Sequence, residues 1–292
     1  MSTDKSFITL NDGNRVPWLA FGIGTAHYNK DATAVVKLAI DSGVTHLDGA
    51  QMYNNEESIA QGVKASGKPR SELFIVTKLH KLAPGETVKD SLRASLAKLG
   101  TDYVDLFLIH VPTPWDKEGT LGQVWKGMEE VKQEGLAKSI GVSNFKVEDL
   151  KQVLDGATII PAVNQIEFHP YVYKSIQPIV ALGAEHGITT ASYGGLSPVV
   201  RVSDGPLSPV LETVRSRLEA TRGKPVSVGQ VLTKWIHQKG AIVVTTSSKE
   251  ERIKEYLDTI NVPDLTEDEI KLIDETGAQL HKRVFLPHLF GE

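Results

Sequence analysis

The sequence predicts an α/β protein folded as a closed (β/α)8 TIM barrel. Short apolar segments alternate with amphipathic helical patterns along nearly the whole chain, which is typical of a parallel sheet whose strands are joined by helices. Each apolar segment is nearly continuous, as expected for strands that are buried on both faces. Eight such segments in a chain of 292 residues match the usual size of one barrel. An open, doubly wound sheet is the alternative architecture.

The eight predicted strands are short apolar runs that end at turn-forming or polar residues. They span residues 19–22, 45–48, 73–77, 104–109, 139–142, 163–166, 189–192 and 242–245. A small hairpin is predicted ahead of them, because residues 7–10 and 15–18 flank the turn Asn11-Asp12-Gly13-Asn14.

Helical periodicity fills the segments between the strands, with apolar residues recurring every three or four positions. They include Val88, Leu92, Leu96 and Leu99, then Leu121, Val124, Trp125, Met128 and Val131, then Val147, Leu150, Val153 and Leu154, and finally Ile253, Tyr256, Leu257 and Ile260. Two extra helices are predicted outside the regular repeat, over 205–222 and 265–279. Thr266 and Glu269 form a capping box at the start of the second.

The tail, residues 281–292, is apolar but irregular. We expect it to form a C-terminal loop over the barrel mouth. Packing on the outside of the barrel is an alternative that the sequence leaves open.

Composition excludes several classes of function. The formal net charge of −4 shows no excess of positive charge that would attract a polyanion, so nucleic acid is not expected as a partner. The absence of cysteine excludes disulfides and thiolate nucleophiles and suits a reducing compartment. Residues 1–6 are polar, and no apolar run reaches membrane-spanning length. We therefore expect one soluble, cytoplasmic domain over 1–292 with no membrane partner, as a monomer or a dimer.

Polar side chains follow the predicted strands at one end of the barrel, where the active site of such a fold lies. Asp48, Lys78 and His110 follow the second, third and fourth strands, and Tyr53 lies in the loop after Asp48. Each has a structural alternative, as a turn cap, a solvated strand end, a core histidine or a surface ring. Their recurrence at one end of one barrel favours a shared site.

Further polar residues follow the remaining strands. They are Ser143 and Asn144 after the fifth, Asn164, Gln165 and Glu167 at the sixth, Tyr193, Gly194 and Gly195 at the seventh, and Thr246, Ser247, Ser248 and Lys249 after the eighth. The alternative for Ser143 and Asn144 is an N-cap of the helix that begins near Lys146.

Asp48, Tyr53, Lys78 and His110 together suit proton transfer to a carbonyl. A free tyrosine has a pKa of about 10, and a nearby ammonium such as that of Lys78 is expected to lower it. Asp48 would keep Lys78 charged and in place, and His110 could hydrogen-bond a substrate oxygen. A metal ion held by Asp48, His110 and Glu167 is the weaker alternative, and no metal is expected.

The sequence resembles the aldo-keto reductase family over nearly its whole length. The matching motifs are Gly22-Ile23-Gly24-Thr25, Leu47-Asp48-Gly49-Ala50 with Tyr53 and Glu56, Thr77-Lys78, Leu108-Ile109-His110, Gly141-Val142-Ser143-Asn144-Phe145, Asn164-Gln165, and Ser247 with Glu251-Arg252-Ile253. Within the family it is most similar to fungal reductases of α-keto amides and conjugated polyketones.

The resemblance implies a (β/α)8 barrel without a Rossmann fold. The glycine pattern after the first strand accordingly lacks the third glycine of a dinucleotide-binding fingerprint. The implied activity is NADPH-dependent reduction of a small-molecule carbonyl, without a metal. The implied catalytic tetrad is Asp48, Tyr53, Lys78 and His110, with Tyr53 as the proton donor.

The resemblance also implies how NADPH would be held. Ser143, Asn144 and Gln165 would bind the nicotinamide carboxamide, and Tyr193 would stack on the nicotinamide ring. The residues that would follow the ribose and pyrophosphate are Gly24, Thr25, Gly194, Gly195, Leu196 and Ser197. Those that would face the adenosine 2′-phosphate are Thr246, Ser247, Ser248, Lys249 and Arg252.

Three positions depart from the family pattern. Thr246 stands where a lysine is frequent, which leaves the strictness of NADPH preference open. Val111 and Ala26 stand where aromatic residues are frequent. We therefore expect a wide substrate pocket that accepts α-dicarbonyl, α-keto lactone or α-keto amide compounds. Its expected residues are Ala26, His27, Tyr28, Val111 and Trp115.

Two other functions are compatible with parts of the pattern. One is a non-catalytic NADPH-binding subunit, which the presence of all four tetrad residues makes the weaker hypothesis. The other is a barrel hydrolase or isomerase that uses Asp48 and Glu167 and needs no nicotinamide.

Overall fold

Eight parallel strands close into a barrel in the computed structural model, which describes residues 5–292. The predicted fold class is confirmed, and the predicted strands agree with the observed ones to within two residues at each end. The polar N-terminal residues 1–4 lie outside the described residues. In chain order the barrel strands are β3 (Leu19–Gly22), β4 (His46–Asp48), β5 (Phe74–Leu79), β6 (Val104–Ile109), β7 (Ala137–Ser143), β8 (Val163–Glu167), β9 (Thr189–Tyr193) and β10 (Ile242–Thr245). Each pairs with its neighbour in sequence, and β10 closes the barrel on β3.

The predicted hairpin covers the N-terminal end of the barrel. It consists of the antiparallel strands β1 (Phe7–Thr9) and β2 (Arg15–Pro17). Its side chains Leu10 and Val16 belong to the same apolar cluster as residues inside the barrel. Asn14 fixes the turn by donating a hydrogen bond to Ser139 Oγ at 2.9 Å. This end is therefore filled, and the opposite end is left for a site.

Alternation along the strands decides which side chains reach the open end. Successive side chains of a strand point to opposite faces, so every second residue lines the barrel interior. Phe74 and Val76 in β5, and Leu106 and Leu108 in β6, pack together in the interior cluster. The next positions in these two series are Lys78 and His110, at the C-terminal ends of the strands. The same alternation places Asp48 above His46 in β4.

Helices surround the barrel, as the periodicity predicted. They are α1 (Thr33–Asp41), α2 (Glu56–Ser66), α3 (Val88–Leu99), α4 (Trp115–Glu118), α5 (Leu121–Gln133), α6 (Val147–Leu154), α7 (Pro170–Glu185), α8 (Ser197–Val200), α9 (Leu207–Arg222), α10 (Val228–Gln238), α11 (Glu250–Asp258) and α12 (Glu267–Gly277). The insertion predicted over 205–222 is α9. The predicted capping box is present at α12, where Thr266 Oγ1 accepts from the Glu269 amide. Within 5–292, none of these helices is both long and apolar enough to cross a membrane.

The tail lies at the open end of the barrel. Residues 281–292 are irregular apart from one 3-10 turn, Pro287–Leu289. Phe285, Leu286, His288 and Leu289 line the cavity at the barrel mouth together with strand-end residues. The loop over the mouth that we expected from the sequence is therefore present in the structure.

Candidate active site

A buried ion pair joins β4 and β5 at the barrel mouth. Lys78 Nζ lies 2.6 Å from Asp48 Oδ1, and both side chains are almost completely buried. The ammonium also donates to the carbonyl oxygen of Gly49 at 2.8 Å. Burial lowers the pKa of Lys78, and the carboxylate of Asp48 acts in the opposite direction. Because Gln165 Nε2 donates to the other oxygen of Asp48 at 2.8 Å, the carboxylate is held from two sides.

Tyr53 faces this pair from the loop that follows β4. A short 3-10 turn, Gln51–Tyr53, brings the ring over the barrel mouth, with Lys78 Nζ 5.3 Å from the ring centroid. The ring fits closely against Gly24, since a Cβ there would lie 2.8 Å from Tyr53 Cζ. Within residues 5–292 no side chain or backbone group hydrogen-bonds the Tyr53 hydroxyl, and the residue lines the cavity.

The pKa of Tyr53 differs in direction from the expectation. Burial raises the pKa of the phenol, and the negative charge of Asp48 raises it further. The expectation that Lys78 lowers the pKa of Tyr53 is wrong for this structure, because the ammonium of Lys78 bonds Asp48 and Gly49 instead. Asp48 and Lys78 act as a nearly neutral pair, and Tyr53 is consequently a neutral phenol near pH 7.

His110 stands beside Tyr53 as a neutral imidazole. The two rings are 5.5 Å apart and almost perpendicular, at 84°. Burial, followed by the positive charge of Lys78, holds the pKa of His110 well below its usual range. Its Nδ1 atom is buried and has no hydrogen-bond partner among the described residues. Neither tetrad ring is therefore charged near neutral pH.

A second polar group continues the site across β7, β8 and β9. Ser143 Oγ donates to the carbonyl of Gln165 at 2.7 Å. Asn144 donates to the carbonyl of His110 at 2.9 Å and accepts from the Tyr193 hydroxyl at 2.6 Å. The N-cap alternative for Ser143 and Asn144 is wrong, because Lys146 occupies the N-cap of α6.

One cavity of about 770 Å³ joins these groups at the barrel mouth. Its lining includes three of the four tetrad residues, and Lys78 lies buried beneath it. The other expected residues that line it are Gly24, Thr25, Tyr28, Val111, Ser143, Asn144, Gln165, Tyr193, Gly194, Gly195, Leu196, Ser197 and Thr246.

Several expected residues do not line this cavity. Trp115 is only 6% exposed and belongs to the apolar core, so its assignment to the substrate pocket needs correction. Ala26 is exposed and His27 is half-buried, and neither reaches the cavity wall. The four remaining residues lie further out, beyond β10, and are Ser247, Ser248, Lys249 and Arg252.

Other lining residues were missed in the sequence. They include Met52, His80, Pro112, Thr113, Asp116, Lys117, Lys146, Val200, Arg201, Tyr256, Phe285, Leu286, His288 and Leu289. A signal existed for His80, which lies two residues beyond Lys78 and so shares its side of the strand. The tail residues belong to the loop that we expected over the mouth, although the sequence did not assign them individually to the site. Arg201 has no local signal, because it reaches the mouth through contacts between distant parts of the chain.

Glu167 is not part of the proton-transfer group. Its carboxylate is fully buried and bonds His169 and the tail instead of Asp48. In the part of the chain that the structure describes, no cluster of three or more histidine or carboxylate side chains could hold a metal ion. A site built on Asp48 and Glu167 therefore has no support in this geometry.

Known proteins are similar to this chain in both sequence and architecture. The model of the Aldo/keto reductase family matches residues 19–278. The chain is 40% identical to an NAD/NADP-dependent indole-3-acetaldehyde reductase of Schizosaccharomyces pombe, covering 95% of this chain and 97% of the relative. It is 33% identical to an NADPH-dependent alpha-keto amide reductase of Saccharomyces cerevisiae, covering 100% and 97%. A solved aldo-keto reductase of Bombyx mori, in complex with NADP, superposes with a TM-score of 0.79 at 32% identity, covering 92% of each chain.

The chain therefore belongs to the aldo/keto reductase family, a family of oxidoreductases. The family resemblance drawn from the sequence motifs is confirmed.

The neutral state of His110 gives folding stability a specific pH dependence. Because its pKa is lower in the folded protein than in the unfolded chain, the unfolded chain binds more protons just below the ordinary histidine pKa of about 6.5. The stability due to the neutral ring is present above that pH and is lost as pH falls. The free energy of unfolding of wild type, measured by urea titration, should fall between pH 6.5 and 5.

His110→Gln should reduce this slope by up to about 1.4 kcal/mol per pH unit. His186→Gln serves as the matched control, because His186 is exposed at the end of α7. The control should keep the wild-type slope. A slope that is unchanged in His110→Gln would show that His110 titrates normally in the folded protein.

Proposed function

We propose that the protein is an NADPH-dependent carbonyl reductase in which Tyr53 donates the proton to the carbonyl oxygen. The observation that carries this proposal is the Tyr53 hydroxyl. It opens into the cavity without a partner among residues 5–292, above a buried Asp48–Lys78 pair and beside a neutral His110. A phenol with a raised pKa keeps its proton until a stronger base forms, which is what a carbonyl oxygen becomes during reduction.

The residues at the mouth fit a nicotinamide cofactor. Thr246 Oγ1 is buried beside the cavity and has no hydrogen-bond partner among the described residues. Gly194 has a φ of +66°, and a Cβ there would lie 2.9 Å from Phe285. A side chain at this position would collide with the Phe285 ring, so glycine lets this loop pack directly against that ring. When bound, reduced nicotinamide would supply a hydride to the carbonyl carbon.

Gln165 and Tyr193 are suited to orient the cofactor, and His110 is suited to orient the substrate. Gln165 uses its amide nitrogen on Asp48, which leaves its carbonyl oxygen for a ligand amide. The bond from Tyr193 to Asn144 fixes the Tyr193 ring at the cavity wall, where it can stack on a flat ring. Neutral His110 can donate one N–H to the substrate oxygen and so direct it toward Tyr53. As the proton leaves Tyr53, the nearby ammonium of Lys78 stabilises the developing phenolate.

We further propose α-dicarbonyl, α-keto lactone or α-keto amide compounds as substrates. The cavity wall carries the apolar or aromatic side chains of Tyr28, Met52, Val111 and Phe285 together with polar ones. A second carbonyl makes the reacting one more electrophilic and gives His110 or His80 a further acceptor. The names of the two fungal relatives, which act on an indole acetaldehyde and on alpha-keto amides, support a carbonyl with a bulky substituent.

Tyr53→Phe should lower turnover by about 10²- to 10⁴-fold, the usual contribution of a general acid. NADPH affinity, measured by quenching of protein fluorescence, should change little because the ring remains. This pair of measurements also excludes a non-catalytic NADPH-binding subunit if wild type turns over. Turnover within a few-fold of wild type would refute Tyr53 as proton donor.

An α-keto lactone or an isatin-like dione should be reduced with a higher kcat/KM than hexanal, because the second carbonyl activates the first. NADPH absorbance follows each reaction at fixed pH. The comparison needs several pairs of similar size. A consistent preference for the simple aldehydes would count against the proposed substrate class.

The preference for NADPH depends on Arg252. In the structure Arg252 is half exposed and pairs with Glu255, with Arg252 Nη1 at 3.1 Å from Glu255 Oε2. Ser227 Oγ donates to the same carboxylate and holds it in place. A 2′-phosphate would therefore compete with Glu255 for the guanidinium. We propose that this competition, together with Thr246, keeps the preference moderate, in keeping with the NAD/NADP-dependent name of the fission yeast relative.

NADPH should bind about tenfold more tightly than NADH, as expected of one charge-assisted contact. Arg252→Ala should abolish the difference by weakening NADPH alone, and Glu255→Gln should strengthen NADPH alone. Lys254→Ala, which removes an exposed cation from the same helix, is the control. Dissociation constants for both cofactors decide the matter. Equal affinities in wild type, or an equal loss for both cofactors in Arg252→Ala, would contradict the proposal.

A further inference from the structure

A buried carboxylate that the proposed chemistry does not use lies at the end of β8. Glu167 is completely buried. Its Oε1 accepts a hydrogen bond from the backbone amide of Val284 at 2.8 Å, and its Oε2 accepts one from the amide of Phe285 at 2.9 Å. His169 Nε2 lies 2.9 Å from Oε1. Both oxygens are thus engaged, and two of their partners belong to residues 281–292, here termed the C-terminal segment.

Arg283 supplies the positive charge in this cluster. Its side chain is 1% exposed, and Nη1 lies 3.9 Å from Glu167 Oε2. The guanidinium stacks on Phe290 at 3.8 Å, and its Nε lies 3.1 Å from Glu292. The C-terminal segment is therefore folded back on Arg283, and Arg283 lies beside Glu167. Each oxygen of Glu167 thus has a hydrogen-bond partner, and the carboxylate has a positive charge nearby, as a buried carboxylate requires. Nε and Nη1 of Arg283 are buried and make no hydrogen bond with the described residues, so the ion pairs and the Phe290 ring hold the guanidinium.

Glu167 thereby fixes the position of Phe285. The Phe285 ring meets the Tyr193 ring edge to face, with centroids 5.6 Å apart at 81°. The guanidinium of Arg201 also lies over the Phe285 ring, 5.2 Å from its centroid. Phe285 and Leu286 line the same cavity as Tyr53 and His110. One side chain therefore connects the end of a barrel strand with the wall of the substrate pocket.

We propose that Glu167 is a positioning residue that sets substrate affinity by holding Phe285 against Tyr193. The proposal rests on the proposed carbonyl reduction for its kinetic consequence, and on the hydrogen bonds alone for its structural one. Glu167 touches neither Tyr53 nor Asp48 in the structure, so it acts through the C-terminal segment. Bulky substrates that fill the cavity up to Phe285 depend on this wall, whereas the smallest dicarbonyls do not.

The isosteric substitution Glu167→Gln tests the proposal. A carboxylate accepts from two backbone amides, whereas a glutamine side chain must turn its NH2 group toward one of them. The segment should loosen. Amide hydrogen exchange, followed by mass spectrometry, should become faster in 281–292 and stay unchanged in β5 and β6. Glu185→Gln, at an exposed position on the following helix α7, removes the same charge and should leave exchange and kinetics as in wild type.

Kinetics then distinguish positioning from a general loss of structure. For an isatin-like dione, Glu167→Gln should raise KM about tenfold, equivalent to about 1.4 kcal/mol, while kcat changes much less. For methylglyoxal both constants should stay close to wild type, as should the dissociation constant of NADPH. Phe285→Ala should raise KM for the dione similarly. In the double variant the two effects should not add, because both remove the same wall.

The outcomes separate the hypotheses. Additive effects, equal losses for both substrates, or unchanged exchange in 281–292 would overturn the role of Glu167. If Glu167→Gln does not fold, Glu167→Asp keeps the charge and both acceptors but draws them back, and it should give the same pattern with a smaller amplitude. If wild type reduces neither substrate, the proposed function fails, and the exchange measurement still decides whether Glu167 holds the segment.

Discussion

The buried ion pair of Asp48 and Lys78 is the interaction on which the rest of the site depends. Burying two charges costs more than an exposed pair gains, and such a pair persists only where its remaining bonds are satisfied. Here Gln165 and the Gly49 carbonyl satisfy them. The barrel makes this possible because alternation along β4, β5 and β8 points all three side chains into one enclosed mouth. Removing either charge would leave the other buried and unpaired.

The ion pair of Asp48 and Lys78 helps to set the protonation states of Tyr53 and His110. Tyr53 keeps its proton because burial and Asp48 both disfavour the phenolate, and His110 stays uncharged because burial and Lys78 both disfavour the imidazolium. Two neutral hydrogen-bonding rings therefore face one cavity. Neutral rings of this kind can offer a carbonyl oxygen a proton and a hydrogen bond. The ammonium of Lys78 lies 5.3 Å from the centroid of the Tyr53 ring, close enough to stabilise negative charge on the phenol.

Much of this arrangement could be predicted from sequence. Apolar runs separated by helical periods define the barrel, and the polar residue that ends each run marks the mouth. Alternation adds His80, two positions after Lys78. The direction of the Tyr53 pKa could not be predicted, because it depends on which atoms the ammonium of Lys78 contacts. The burial of Trp115 in the core has no local sequence signal. The hydrogen bonds of Glu167 to the amides of residues 284 and 285 have none either, since they join positions far apart in the chain.

The ionisation of Tyr53 tests the central claim most directly. Ultraviolet difference titration of wild type against Tyr53→Phe isolates the phenolate absorbance of this one residue. The account predicts no ionisation of Tyr53 at or below the ordinary tyrosine pKa of about 10, in protein that remains folded by circular dichroism. A phenolate that forms at Tyr53 between about pH 7 and 9 would contradict the account, because Lys78 would then act on Tyr53 directly and not as the partner of Asp48.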